Sequence, residues 1–414
     1  MPFLSSLPPS VRQYLLVTGN YWSFTLTDGA LRMLVLLHFH TLGYTPMEIA
    51  LLFLFYEIFG VITNLVGGWL GARVGLNHTM NIGLTLQITA LAMLLVPSSH
   101  LNVPWVMAAQ GLSGIAKDLN KMSAKSSIKL LLPPCAQGAL YRWVALLTGS
   151  KNALKGIGFF LGGALLALLG FRGAVLLMAA GLALVLLLSM RFLQRDLGRS
   201  KAKSRFRDVF SKSRAVNVLA AARLFLFAAR DVWFVIALPI FLASQFHWSH
   251  WQVGAFLASW IIGYGAVQAF APKITASFSP AVPDGRTALL WGAALSLIPL
   301  LIALALHTGT HTEISLLVGL LFFAILFAVN SSVHSYLIVS YAREDGVSMD
   351  VGFYYMANAM GRLAGTLLSG WIFQTAGLQA CLLASTGLLL LTTVISLALP
   401  KHSEDNRPLI NAAS

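Results

Sequence analysis

Cysteine is almost absent. The 414 residues hold two, Cys135 and Cys381, far apart in the chain. Two solitary thiols build neither a disulfide framework nor a thiolate metal site. Charge is scarce as well: Asp, Glu, Lys and Arg make up 10% of the chain, against about 25% in soluble domains. Hydrophobic residues are 57%. This balance excludes an ordinary soluble domain and points to a polytopic membrane protein. Acidic residues are scarcer than basic ones, 14 against 28, leaving a net charge of +14. The excess does not read as a nucleic-acid surface, because it lies in short loops between apolar runs, where it sets topology. Gly-x-x-x-x-Gly-Lys-Ser/Thr is missing, and so are a nucleophile elbow and any metal motif. No enzymatic activity, cofactor or metal is therefore expected. His38, His40, His247, His250, His307 and His311 lie near span ends without carboxylate or Cys partners at ligand spacing. The opening Met1–Ser10 is polar and Pro-rich rather than leader-like, so the first span is expected to be retained.

What is present is a series of long apolar runs. At about 20 residues per crossing they give roughly twelve transmembrane helices. The expected spans are 12–38, 46–70, 78–96, 103–127, 141–169, 173–192, 215–242, 249–271, 286–306, 313–340, 350–376 and 378–399. Loops with Arg73, Lys129, Lys273, Arg286 and Arg343 alternate with loops at 39–45, 97–102, 243–248 and 307–312 that have no Lys or Arg; Arg172 is the exception. The segment 191–214 carries nine basic residues and two aspartates. It reads as a cytoplasmic topology anchor, with both termini on the same side. It divides the chain into a six-helix half (1–192), a basic linker (193–214), a second six-helix half (215–400) and a tail (401–414). Residues 26–60 can be laid over 228–263 with one gap, which puts Asp28 on Asp231. Two parallel six-helix repeats with a substrate site between them is the major facilitator arrangement.

Charged residues inside the spans carry the functional reading. Lys117, Lys121 and Lys125 recur every fourth residue, a drifting stripe on one helix, with Asp118 beside the first. Lys151 and Lys155 repeat that spacing in the next span. Asp28 and Arg32 lie in the first span, Glu57 in the second, Arg223, Arg230 and Asp231 in the seventh, and Arg362 in the eleventh. A charge at the bilayer centre costs roughly 2.5–3.5 kcal/mol on the insertion scale. A basic surplus at that depth therefore implies a water-filled cavity that takes an anion. Arg32, Lys117, Lys121, Lys151, Lys155, Arg230, Asn358 and Arg362 are the candidate substrate contacts; Asn358 serves either as a contact or as a bridge between helices. Asp28, Glu57, Asp118 and Asp231 are candidates for proton coupling or charge pairing. Asp28 and Arg32 are four apart and suited to pair across one turn. Lys125 and Arg142 lie near the cytoplasmic surface and are expected to snorkel; Arg223 reads equally as a snorkelling residue.

At 67–77 the chain reads GGWLGARVGLN. It resembles the major facilitator loop signature at Gly68, Leu70, Arg73 and Gly75, with Ala72 where that signature has an acid. Tight turning and close helix approach account for the glycines. GFFLGG (158–163) is similar to part of the glycine-rich antiporter signature, although close helix packing is the preferred reading. As whole strings, NYWSFTLTDGALRMLVLLHFH (20–40), FLFYEIFGVITNLVGGWLGARVGL (53–76) and SGIAKDLNKMSAKSSIKLL (113–131) resemble the organoarsenical efflux permeases of bacterial arsenic-resistance operons, the ArsJ type. That resemblance implies a major facilitator fold in a bacterial cytoplasmic (inner) membrane. It also implies export of 1-arseno-3-phosphoglycerate, which a glyceraldehyde-3-phosphate dehydrogenase makes from arsenate. An organophosphate or sugar-phosphate exchanger fits the same basic cavity. No nucleic-acid partner is expected; the lipid bilayer is.

Overall fold

The computed structural model describes residues 8–42, 52, 54–97, 100–133, 136–193, 197–198, 213–248, 250–279, 282–309 and 312–401. Most of the basic linker and all of the tail beyond Lys401 lie outside the described residues. The described residues are helical almost throughout. In order the helices are α1 (Pro9–Thr41), α2 (Leu54–Val74), α3 (Leu76–Met93), α4 (Val103–Leu131), α5 (Gln137–Phe192), α6 (Arg214–Phe234), α7 (Ala237–Gln245), α8 (His250–Phe278), α9 (Gly285–Thr308), α10 (Thr312–Tyr341) and α11 (Val347–Ser396).

Their boundaries have local causes. Asn102 caps α4 by accepting from the Trp105 backbone N–H at 3.0 Å. Asp284 and Thr287 form a capping box at the start of α9. Gly75 alone separates α2 from α3, at φ 97°, a conformation that favours glycine. Gly170 in α5 (φ 64°, ψ 177°) and Gly377 in α11 (φ 75°, ψ −175°) bend those helices into two arms each, in a backbone region essentially reserved for glycine. Pro239 explains the break between α6 and α7: it has no N–H for the carbonyl of Val235, four residues earlier. Counting α6–α7 as one pass and α5 and α11 as two each, the described helices make twelve passes.

Six helical stretches, namely α5, α6–α7, α8 from Gln252, α9, α10 and α11, are long and apolar enough to cross a membrane. The 33-residue α1 and the 29-residue α4 have the length, but they carry interior charges. Leu168, Leu367, Trp371 and Phe278 are exposed on the outside of the bundle. Such an apolar surface suits acyl chains, and helices with internally satisfied backbones are what a bilayer admits.

The two ends of the bundle differ. At the end that bears Pro9 and Leu399, one core draws on both halves, joining Tyr14, Tyr141 and Val144 to Tyr336, Val347 and Tyr354. At the opposite end the halves keep separate cores. Phe24, Leu34, Phe39, Leu91 and Phe171 form one; Trp233, Leu238, Trp260, Phe323 and Leu378 belong to the other. Among the described residues the halves converge at the terminus-bearing end.

Small residues permit that convergence. A Cβ on Gly352 of α11 would lie 2.5 Å from the Asn64 carbonyl oxygen and 2.9 Å from Gly68 Cα on α2. A Cβ on Gly149 of α5 would lie 2.5 Å from the Gly265 carbonyl oxygen on α8. Further along, Gly158 and Gly162 of α5 touch Leu26 and Ala30 of α1, while Gly361 and Gly365 of α11 touch Leu224 and Ala228 of α6. Gly149, Gly158 and Gly162 thus recur at the same spacing as Gly352, Gly361 and Gly365. This packing corrects the sequence overlay. It sets Leu26 against Leu224 and Ala30 against Ala228, so Arg32 corresponds to Arg230, and Asp28 does not correspond to Asp231. The overlay missed this because it followed an acidic residue rather than the contact face.

Candidate functional site

Tyr56 of α2 anchors the first-half charges. Its hydroxyl donates to both oxygens of Asp28 on α1, at 2.7 and 2.9 Å. The Arg32 guanidinium lies 4.4 Å from the ring centroid. The Lys117 ammonium of α4 lies 3.8 Å from the same centroid. Asp28 therefore spends its hydrogen bonds on a tyrosine, not on the intrahelical pair with Arg32 that the four-residue spacing suggests. Asp118, 2% exposed, sits 2.5 Å from Lys121 and 3.8 Å from Lys117.

The lysines of α5 approach from the other side. The Lys155 carbonyl would be 2.7 Å from a Cβ on Gly29 of α1, so Lys155 is level with Asp28 and Arg32. It lies within electrostatic range of Arg32, Asp28, Lys117 and Arg362. Lys151 is likewise in range of Lys121, Lys155, Arg362 and Lys117.

The second half supplies a matching group. Asp231 of α6 is fully buried and takes Arg230 at 2.5 Å and Arg362 of α11 at 3.3 Å. Arg362 keeps 40% of its side chain exposed. Arg223 donates to Asn358 at 2.9 Å and to the Ser331 hydroxyl and carbonyl at 3.0 and 3.1 Å. Asn358 thus bridges α6 and α11.

Two expectations are corrected here. Lys125 and Arg223 do not snorkel: each is 3% exposed. Lys125 donates to the Tyr355 hydroxyl across the two halves, and Arg223 is consumed by α10 and α11. Helical position alone suggested an accessible end; the convergence of the halves at that end buries it. Arg142 is exposed, as its position predicts. Glu57 lies on the backbone of α2, and its side chain is outside the described residues. Cys135 is also outside them, while Cys381 is buried and free. The signature residues serve packing: Gly68 abuts Ser348 and Gly352, Gly75 makes the turn, and Arg73 stacks 5.1 Å from the Trp69 ring centroid while remaining exposed.

Reading the sequence missed Tyr56 and Tyr355 as cation supports, since aromatics in apolar spans look like packing residues. It also missed the polar run Asn330–Ser335 on α10. Asn330 and His334 are fully buried and make no hydrogen bond to protein. The signal was there, six residues with five polar side chains inside an apolar span.

The arrangement places cations from α1, α4, α5, α6 and α11 in one electrostatic network, with three carboxylates among the described side chains. Comparisons with known proteins agree on the architecture. The human organic anion transporter MFSD10 (TETRAN) superposes with a TM-score of 0.74 at 19% identity, covering 94% of this chain and 100% of that one. The E. coli fucose:proton symporter FucP gives 0.71 at 12% identity, covering 93% and 98%. A bacterial homologue of the iron transporter ferroportin, in an outward-facing state, gives 0.72 at 13% identity, covering 94% and 99%. At these identities the likeness concerns the fold. No match was found among curated protein sequences. The sequence model of the Major Facilitator Superfamily matches residues 14–280 and again 219–413. Two helical repeats, a charged interior between them and this match over nearly the whole length lead to one conclusion: the chain belongs to the Major Facilitator Superfamily and is a transporter, not an enzyme.

Proposed function

We propose that this transporter is a secondary active efflux permease for an anionic organoarsenical, 1-arseno-3-phosphoglycerate, and that it confers arsenate resistance. The observation that carries the reading is the basic surplus. Arg32, Lys117, Lys121, Lys151, Lys155, Arg230 and Arg362 outnumber Asp28, Asp118 and Asp231 among the described side chains. A net positive interior is costly at this depth, and a bound anion eases that cost. A substrate with phosphate at one end and an arsenate ester at the other suits two basic groups, one on each half. Lysine meets such oxygens as a mobile point charge, arginine as a planar fork. The resemblance of 20–40, 53–76 and 113–131 to the arsenic-operon permeases supplies the arsenic. A glyceraldehyde-3-phosphate dehydrogenase would supply the ester, which hydrolyses outside to arsenate.

With the basic loops inward, the terminus-bearing end is cytoplasmic and the separated cores face outward. The bilayer is then the bacterial cytoplasmic membrane. Arg32, Lys117, Lys155, Arg230 and Arg362 are proposed to face one cavity between halves 1–192 and 215–400. Asp28 and Glu57 are the proposed coupling carboxylates.

Growth of arsenate-sensitive cells expressing the dehydrogenase, with and without this gene, tests the reading. Resistance should require both genes, and inverted vesicles should accumulate arsenic only when the dehydrogenase reaction runs. If resistance is absent while the vesicles exchange sugar phosphates or glycerol phosphate, the organophosphate reading replaces this one.

A further inference from the structure

A groove of 460 Å³ lies away from the charged interior, between α3 and the second arm of α5. Its volume is that of a small-ligand site, roughly 300–1,000 Å³. Asn77, His78, Asn81 and Thr85 of α3 line one wall, Leu186 and Met190 of α5 the other. His78, Ile82, Thr85 and Met190 are exposed, so the groove opens on the outside of the first half, toward lipid. Leu76 and Leu193, next to its rim, belong to the core at the terminus-bearing end. The rim therefore stands at the membrane boundary on that side. A row of polar side chains is out of place on a lipid-facing helix, where each unmet donor is costly. Asn81 accepts from the Ser189 hydroxyl at 2.5 Å, and Ser189 accepts from Asn20 at 3.1 Å. Those bonds fix Asn81 and leave its amide N–H groups without a protein partner among the described residues, as the His78 imidazole also is. Neither α3 nor the second arm of α5 (171–192) contains an acidic residue, and Arg73 and Arg191 are exposed at the same end. Helix α3 also starts at Gly75 without a side-chain cap, so its amide end adds positive potential at the rim.

We propose that this groove is a binding site for an anionic phospholipid of the leaflet at the terminus-bearing end. The phosphate meets His78 at the rim, in the positive potential of Arg73, Arg191 and the start of α3. Asn81 lies about 4.5 Å deeper along the helix axis, level with the ester oxygens, and donates its free amide hydrogens to them. One acyl chain then runs over Ile82, Leu186 and Met190. A soluble anion would use the rim but leave the apolar floor uncovered, whereas a phospholipid fills both. The proposal does not depend on the substrate assigned to the interior.

Native mass spectrometry of the purified full-length protein, titrated with phosphatidylglycerol or with phosphatidylcholine of the same chains, tests this. One phosphatidylglycerol should bind about tenfold more tightly than phosphatidylcholine, the scale of one charge-assisted contact. His78→Leu should erase that preference and leave phosphatidylcholine retention unchanged. Ile82→Trp fills the groove from its open side and should remove the tight adduct altogether. Should His78→Leu fail to fold, Ile82→Trp decides alone. Glycerol 3-phosphate, which has the headgroup chemistry without the chains, should not displace the lipid. Displacement by glycerol 3-phosphate at the lipid's own concentration would make this a site for soluble anions and overturn the lipid assignment. Equal retention of the two lipids by wild type, or a phosphatidylglycerol preference that survives Ile82→Trp, also overturns it. The groove would then hold ordinary boundary lipid or another segment of the chain. Each of these outcomes leaves the efflux reading to its own test.

Discussion

At the residue scale, the question is which atoms meet arsenic. Trivalent arsenic seeks thiols, and a protein that gripped it directly would bring several cysteines together. Cys381 is buried against the Ser369 carbonyl, far in sequence from Cys135. Pentavalent esters present hard oxygens, which lysine and arginine recognise as they recognise phosphate. The double change Cys135→Ser and Cys381→Ser should therefore leave arsenate resistance intact. Lys117→Ala or Lys155→Ala should reduce it at unchanged membrane expression, by roughly 1.5–3 kcal/mol of binding, about ten- to a hundredfold. The reverse pattern would put the thiols back in charge. The cations themselves were legible in the sequence, because a lysine in an apolar run has few explanations. Their supports were not. Tyr56 and Tyr355 stand in runs of Phe, Leu and Met, and nothing in one dimension separates a ring that packs from a ring that carries two ammonium or guanidinium groups.

At the scale of elements, the helices followed from hydropathy and the punctuation from glycine and proline. The bends at Gly170 and Gly377 fall where the expected spans end. The break before α7 was not expected, since a proline inside a span often passes with only a kink. The repeat was legible in the wrong place: the first and second spans invited an overlay, whereas the register is written in the glycines of the fifth and eleventh. Those glycines make a sharp prediction. A valine at Gly352 cannot keep α11 against the Asn64 carbonyl of α2. Gly352→Val should part the halves at the terminus-bearing end and expose Lys125, buried in wild type. A cysteine placed at Lys125 in a cysteine-free background should then react faster with a membrane-impermeant maleimide applied to inverted vesicles. Unchanged labelling would mean that α2 and α11 are not a determinant of closure. Asp284→Ala, by contrast, removes a surface cap, and a loss of about 1 kcal/mol in stability with unaltered labelling is expected.

At the scale of the whole molecule, the halves share a core at one end and keep their own at the other. Lys129 helps hold the shared end. It donates to the Ser340 carbonyl at 2.9 Å and to that of Ala342, both on the opposite half. Lys129→Ala should favour the state open toward the termini, because two carbonyls lose a charged partner while the apolar core remains. Site-specific distance measurements between spin labels on α4 and α10 would register that shift; an unmoved distribution would assign Lys129 a local role. The basic surplus in the interior has an electrical meaning as well. A bound dianion cancels two of the interior positive charges, so the loaded carrier is less positive than the empty one and responds less to voltage. When the anion has left, the returning carrier moves positive charge toward the negative interior of the cell. Each elementary charge carried across the field is worth about 2.3 kcal/mol per 100 mV. The membrane potential would then help to drive export through the empty half-cycle. Vesicles clamped with potassium and valinomycin should show turnover rising as the cytoplasmic face is made negative, whereas a voltage-independent rate at fixed pH would show that another ion crosses with the empty carrier and cancels its charge.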